Sequence, residues 1–157
     1  MPHWFTKHFP HSRPNIPWFI YFWDLPDGLT FEVGQGVVFY ETRDAMRERF
    51  EDETAYVKAK QGRKGVVGIA RVAGPIQRVT VVSKLRYEED PHVRFRWEVP
   101  CEDHEHGTIV PYAAVKTIMQ TKNPFIISSP VKAIDQVMYD AFREALQPLS
   151  PCTNGAL

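Results

Sequence analysis

Trp18-Phe19-Ile20-Tyr21-Phe22-Trp23, Val37-Val38-Phe39-Tyr40 and Val66-Val67-Gly68-Ile69-Ala70-Arg71-Val72 are the three stretches that decide the fold of this chain. Each stretch is short, is rich in aromatic or β-branched residues and is bounded by proline or glycine, which is the pattern of a buried strand. We therefore predict a compact β core. A barrel lined with aromatic side chains either fills its interior with its own rings or leaves a slot for a flat ligand.

The size and charge of the chain narrow the possible classes of protein. A length of 157 residues is typical of one domain with a core of its own. A hydrophobic content of 43% excludes an intrinsically disordered protein. Because the formal net charge is zero, the chain has no overall attraction for nucleic acid or for an anionic membrane. Any binding to a polyanion must therefore come from a local patch of positive charge.

Membrane, secreted and disulfide-rich proteins do not fit the sequence. The two cysteines, Cys101 and Cys152, are too few for a metal or disulfide framework. No apolar stretch approaches the roughly 20 residues that span a bilayer. The N-terminal segment is interrupted by proline, histidine, lysine and arginine, which a signal peptide does not tolerate. The sequence predicts a cytoplasmic protein with no membrane partner.

Composition divides the chain into three parts. Residues 1–17 contain four prolines, so we expect an N-terminal arm without regular structure, either packed on the domain or disordered. The domain itself is predicted over residues 18–148, and residues 149–157 are expected to form a flexible tail.

Further elements follow from hydrophobic periodicity. Residues Gln77–Val82 and Val93–Val99 alternate between apolar and polar side chains and are predicted as strands. Apolar residues at helical spacing predict a short helix over Tyr112–Met119 and a final helix from Lys132 that ends before Pro148. The segment Cys101–Gly107 is predicted as an acidic turn.

Four motifs occur in an order that resembles a known family. They are Val33-Gly34-Gln35-Gly36-Val37-Val38-Phe39-Tyr40, Gly65-Val66-Val67-Gly68-Ile69-Ala70-Arg71-Val72, Phe95-Arg96-Trp97-Glu98-Val99 and Phe125-Ile126-Ile127-Ser128-Ser129-Pro130-Val131. Together they are similar to the EVE domain of the PUA-like superfamily, and the resemblance covers roughly Trp18 to Leu146. It implies an α+β fold, namely a mainly antiparallel PUA-like β-barrel with flanking helices. Strands 18–23, 37–41, 65–73 and 93–99 would then belong to one curved sheet.

The resemblance also implies a function, because EVE-like domains bind modified nucleobases. We therefore expect a non-catalytic domain that reads a modified base in DNA or RNA through an aromatic pocket. Such a site needs aromatic faces for stacking, polar groups for the edge of the base, and cations for the phosphates. Aromatic and base-edge candidates are Trp23, Tyr40, Trp97, Asp24, Ser128 and Ser129. The candidates for the nucleic-acid backbone are Arg43, Lys58, Lys60, Arg63 and Lys64.

Two other functions remain open at this stage. One is a metal-dependent hydrolase or nuclease that uses His104 and His106 with the neighbouring carboxylates. Their spacing matches no known zinc signature, and the sequence has no nucleophile motif or glycine-rich phosphate loop, so we predict no catalytic residue, metal or cofactor. The other is a protein-interaction module whose aromatic residues all lie in the core.

Overall fold

The structure is a computed structural model that describes residues 1–8, 19–22, 24–42, 62–79, 96–124 and 131–148. These residues form eight strands and two helices, in the order β1 (His3–His8), β2 (Ile20–Phe22), β3 (Gly36–Glu41), β4 (Gly65–Val72), β5 (Gln77–Arg78), β6 (Trp97–Val99), β7 (Cys101–Pro111), α1 (Tyr112–Met119), β8 (Val131–Ile134) and α2 (Gln136–Leu146). The predicted helix over Tyr112–Met119 is confirmed. The final helix is present but begins at Gln136, because the residues from Lys132 to Ile134, predicted as its start, belong to β8.

Five strands form the main sheet, in the order β7-β4-β3-β1-β8. β1 pairs in parallel with β3, and the other three pairings are antiparallel. β1 comes from the segment that the sequence analysis assigned to an irregular arm. It lies inside the sheet, where Thr6 is opposite Phe39 on one side and opposite Val131 on the other.

The two faces of the main sheet are buried under different layers, because side chains alternate along each strand. In β3, Val37 and Phe39 belong to one cluster of buried side chains, and Val38 and Tyr40 belong to a second. The first, the strand-side cluster, includes Ile20, Phe22 and Val99 from a separate three-stranded sheet in the order β2-β6-β5. The second, the helix-side cluster, includes Val115, Met119, Tyr139, Phe142 and Leu146 from α1 and α2. Helices, main sheet and small sheet thus form three layers.

The predicted closed barrel is wrong, because the strands form two open sheets of five and three strands. The four predicted strands do not share one sheet: β3 and β4 lie in the main sheet, whereas β2 and β6 lie in the small one. The physical reason is the insertion of β1 beside β3, which occupies the edge of β3 that a barrel strand would use. The small sheet then packs on a face of the main sheet instead of continuing it.

The predicted acidic turn at Cys101–Gly107 is also wrong. These residues begin the eleven-residue strand β7, which pairs with β4 from Val72–Cys101 to Gly65–Pro111. The pairing contains two register irregularities, and along β7 Glu102 and Asp103 are exposed while Cys101 and Val110 are buried.

Two buried polar side chains connect the N-terminus of β3 to its neighbours. The Oε1 atom of Gln35 accepts hydrogen bonds from Trp4 Nε1 at 2.7 Å and from the backbone N–H of Glu32 at 2.9 Å. The Nδ1 atom of His3 accepts from the backbone N–H of Gly36 at 2.7 Å, and its Nε2 lies 2.7 Å from Gln136 Oε1. Because Nδ1 accepts, the ring proton is on Nε2 and is donated to the glutamine. These bonds fix β1, β3 and α2 relative to one another.

Gly36 tests this packing, since a Cβ atom there would overlap the ring of Tyr139. We expect Gly36→Ala to lower the free energy of unfolding by about 1–3 kcal/mol, the usual cost of overfilling a core. Gly74→Ala is the matched control, because its Cβ would lie 3.3 Å from Pro100 Cγ, and its effect should be about 0.5 kcal/mol. Urea denaturation of both variants measures the difference, and equal losses would contradict the packing of Tyr139 on β3.

Candidate nucleic-acid interface

The structure separates the two predicted aromatic residues that it describes. Tyr40 is 2% exposed and lies in the helix-side cluster. Trp97 is half-buried, packs against the strand-side cluster, and has the Arg78 guanidinium 5.3 Å from its ring centroid. Asp24 is exposed in the turn after β2. The remaining predicted residues outside the described ranges are Trp23, Arg43, Lys58, Lys60, Ser128 and Ser129.

A buried carboxylate lies at the end of the main sheet where β3 ends and β4 begins. We call this end of the strands the edge of the sheet. Glu41 is the last residue of β3 and is fully buried. Its Oε2 atom accepts hydrogen bonds from the backbone N–H of Arg63 at 3.1 Å and from Arg63 Nε at 2.6 Å. A buried carboxylate is strongly destabilising without a cationic partner, so this pair holds both the backbone and the side chain of Arg63 in place. The Arg63 side chain keeps 37% of its surface exposed.

His104 and His106 of β7 lie on the same face of the sheet as this ion pair. By register, Phe39 of β3 is opposite Gly68 of β4, and Gly68 is opposite His106. Gly68 has no side chain, so the His104 ring reaches across β4 and stacks on Phe39 with a centroid separation of 6.2 Å and an interplanar angle of 27°. Such ring pairs are favourable at this distance.

The pKa of His106 is lowered by burial and by the positive charge of Arg63. Although His106 is exposed as a residue, part of its ring is withdrawn from water, and this burial is the larger cause that lowers its pKa below 6.5. The Arg63 guanidinium is the second cause, since it disfavours another cation nearby. Near neutral pH, the His106 ring is therefore uncharged and offers one donor and one acceptor.

We call this group the Phe39 rim and define it as Phe39, Thr6, Glu41, Arg63, His104 and His106. Thr6 belongs to it because it is directly opposite Phe39 in the parallel pairing of β1 and β3. The rim combines stacked rings with a hydroxyl, a carboxylate, a guanidinium and imidazole nitrogens. Phe39, Thr6 and Glu41 are buried, so within the rim Arg63, His104 and His106 provide the accessible groups that can hydrogen-bond the edge of a heteroaromatic ring.

Lys64 follows Arg63 in the sequence, but its side chain lies on the opposite face of the sheet. Its Nζ lies 5.0 Å from the centroid of the Tyr112 ring, at the beginning of α1. Lys116, one turn further along α1, places its Nζ 4.9 Å from the same centroid. Three cations therefore lie at this edge, with Arg63 on one face of the sheet and Lys64 and Lys116 on the other.

The structure gives the hydrolase alternative no support. Within the described ranges, no group of three or more histidine, cysteine or acidic residues is arranged to hold a metal ion. The Arg63 charge beside His106 also opposes the binding of a divalent cation there. Burial raises the pKa of the Cys101 thiol to about 12, which makes it a poor nucleophile. The helices of the described part include none long and apolar enough to cross a membrane.

Sequence reasoning missed Phe39, Thr6, Glu41, Tyr112 and Lys116 as site residues. A charged residue directly after the apolar run Val37–Tyr40 was the one available signal for Glu41. The others acquire their places from strand register and from the packing of α1 beside β4, which no local pattern encodes.

Comparisons with known proteins give no family assignment. No protein-family model matches the chain, and no curated protein matches it. Among solved structures, the chain is similar to the crystal structure of protein Atu2648 from Agrobacterium tumefaciens, with a TM-score of 0.44 and 11% sequence identity. The alignment covers 94% of this chain and 92% of that chain.

The charge of Arg63 should be visible in the titration of His106. We expect a His106 pKa below 6.5 by NMR, a higher pKa in Arg63→Gln, and an unchanged one in the charge-preserving control Arg63→Lys. Because the unfolded chain binds this proton more readily than the folded one, His106 should make the unfolding free energy fall as pH drops from 6.5 through the folded pKa. A pKa at or above 6.5, or no response to Arg63→Gln, would contradict this geometry.

Proposed function

We propose that this protein binds DNA or RNA and reads a modified base at the Phe39 rim, without catalysing a reaction. The observation that carries the proposal is the ion pair of buried Glu41 with partly exposed Arg63, beside the stacked rings of Phe39 and His104. It joins fixed hydrogen-bonding groups to the half-buried His104 ring, which the buried Phe39 ring supports from behind.

The ion pair gives the rim its rigidity. Glu41 is fully buried and fixes Arg63 through two hydrogen bonds, so the donors that remain on the guanidinium have a defined position. Groups that are already ordered lose little conformational entropy when a ligand binds. A small chemical difference between two bases then produces a larger difference in affinity, because a badly placed polar group stays unpaired.

The cations at the same edge support a nucleic acid as the source of the base. The chain has zero net charge, yet Arg63, Lys64 and Lys116 lie together there, and Glu41 compensates one of them. Such a local positive surface attracts phosphates although the whole protein is neutral. A base removed from its stack would contact the accessible part of the rim, Arg63, His104 and His106, while its backbone stays at the edge.

The proposal includes a relationship to EVE domains, which the order of the sequence motifs supports. The first two motifs lie largely in the adjacent strands β3 and β4, which pair from Gly36–Arg71 to Glu41–Gly65, and β3 contributes Phe39 and Glu41 to the rim. We place the protein and its nucleic-acid partner in the cytoplasm, as the sequence predicts.

Substitution of His104 tests the base-reading proposal. The assay uses short oligonucleotides of one sequence, each carrying one methylated or hydroxymethylated base, with the unmodified strand as reference and fluorescence anisotropy as readout. Wild type should prefer one modified strand. His104→Ala should weaken binding to that strand by about 1–3 kcal/mol, the usual contribution of stacking on one base.

His104→Phe is the matched control, because it keeps a flat ring on Phe39 but removes the imidazole nitrogens. It should retain most of the affinity and lose part of the preference for the modified strand. Equal affinity of wild type for every strand would contradict base reading, and so would a His104→Ala protein with wild-type preference.

A further inference from the structure

The ring of Tyr112 is contacted by two lysine side chains from different parts of the chain. Lys64 precedes β4 and Lys116 lies in α1, and each ammonium is about 5 Å from the ring centroid. The two ammonium groups are therefore at most about 10 Å apart, the sum of the two distances. Attraction to the ring is weak at a partly exposed position, so it does not remove the mutual repulsion of the two charges.

Neither lysine is neutralised by the part of the protein that the structure describes. The ion pairs of Glu41 with Arg63 and of Glu105 with Arg143 do not include Lys64 or Lys116. The first turn of α1 contains no acidic residue. Two neighbouring like charges with no acidic partner among the described residues are stabilised when one anion contacts both.

Helix α1 adds to the positive potential at this place. Tyr112 is its first residue, and Pro111 before it makes no side-chain capping hydrogen bond. The backbone N–H groups of the first turn therefore face the Tyr112 region with the positive end of the helix dipole. Lys116 is four residues further along, and long side chains in a helix lean towards its N-terminus, which brings its ammonium back over the ring.

The backbone on both sides of Lys64 is held by the sheet. The preceding residue, Arg63, donates its N–H to Glu41, and the following residue, Gly65, is opposite Pro111 in the pairing of β4 with β7. Lys64 itself has a φ of 52°, in the left-handed region that non-glycine residues rarely adopt. This conformation directs its side chain to the start of α1 while the Arg63 side chain turns to the Phe39 rim.

We propose that Lys64, Lys116 and Tyr112 form a phosphate-binding site, and that its ligand is a backbone phosphate of the nucleic acid whose base is read at the Phe39 rim. The inference rests on the proposed function. It adds Tyr112 and Lys116 to the residues proposed to contact nucleic acid. It also gives different roles to the consecutive residues Arg63 and Lys64. Arg63 serves the base on one face of the sheet, and Lys64 serves the phosphate on the other.

The test uses the full chain with two probes, inorganic phosphate and the oligonucleotides described above. Phosphate binding is followed through the amide NMR signals of Lys64, Tyr112 and Ala113. Variants are Lys64→Gln, Lys116→Gln and the double substitution, and Lys122→Gln is the control because it removes the same charge from an exposed position beyond α1.

In the wild type, phosphate should shift these amide signals to saturation, and the double variant should weaken phosphate binding at least about tenfold, a change of about 1.4 kcal/mol. The double variant should also reduce the slope of log affinity against log salt by about 0.7–0.9 per lost phosphate contact, while the preference for the modified strand is kept. Lys122→Gln should behave as wild type.

Failure of the site and failure of the proposed function give different results. If wild type prefers a modified strand but the double variant keeps the full salt slope, or if Lys122→Gln has the same effect, the phosphate site is wrong and base reading stands. If phosphate shifts these signals but no oligonucleotide binds, the proposed partner is wrong. That result would overturn the inference, because the phosphate would then be an adventitious ion.

Discussion

Burial of both faces of β3 is the constraint on which the rest of the structure depends. All six residues from Gly36 to Glu41 are buried, so a layer must cover each side of the strand. The small sheet covers Val37 and Phe39, and the helices cover Val38 and Tyr40. At the first residue, Gly36 leaves the space that the Tyr139 ring fills, and at the last residue the carboxylate of Glu41 enters the protein interior.

The burial of Glu41 links the fold to the candidate site. A carboxylate without water needs a cation and hydrogen-bond donors, and Arg63 supplies both from the beginning of β4. Once Arg63 is fixed, Lys64 has a defined direction towards Tyr112. A requirement of stability at the end of one strand thus positions two cations on opposite faces of a sheet, in a protein whose net charge is zero.

The sequence predicted those parts of the fold that local patterns encode. Strands β3 and β4 and helix α1 follow from apolar runs and helical spacing. β1 did not follow, because His3–His8 mixes polar and aromatic side chains near prolines and becomes a strand only by pairing with β3 and β8. The division of strands between two sheets and the extension of β7 through its acidic residues also depend on contacts distant in sequence. For the same reason, Arg63 and Lys64 were found in the basic run, whereas Glu41, Tyr112 and Lys116 were not.

We propose that one edge of the sheet binds a nucleotide, with the base on one face and the phosphate on the other. Amide NMR shifts recorded while a preferred oligonucleotide is added test this arrangement, because each position reports separately. The largest shifts should fall on Arg63–Gly65, His104–His106 and Tyr112, with small shifts at Gln77 and Arg78 in the small sheet. Shifts concentrated at Gln77 and Arg78, with none at the edge where β4 begins, would rule the arrangement out.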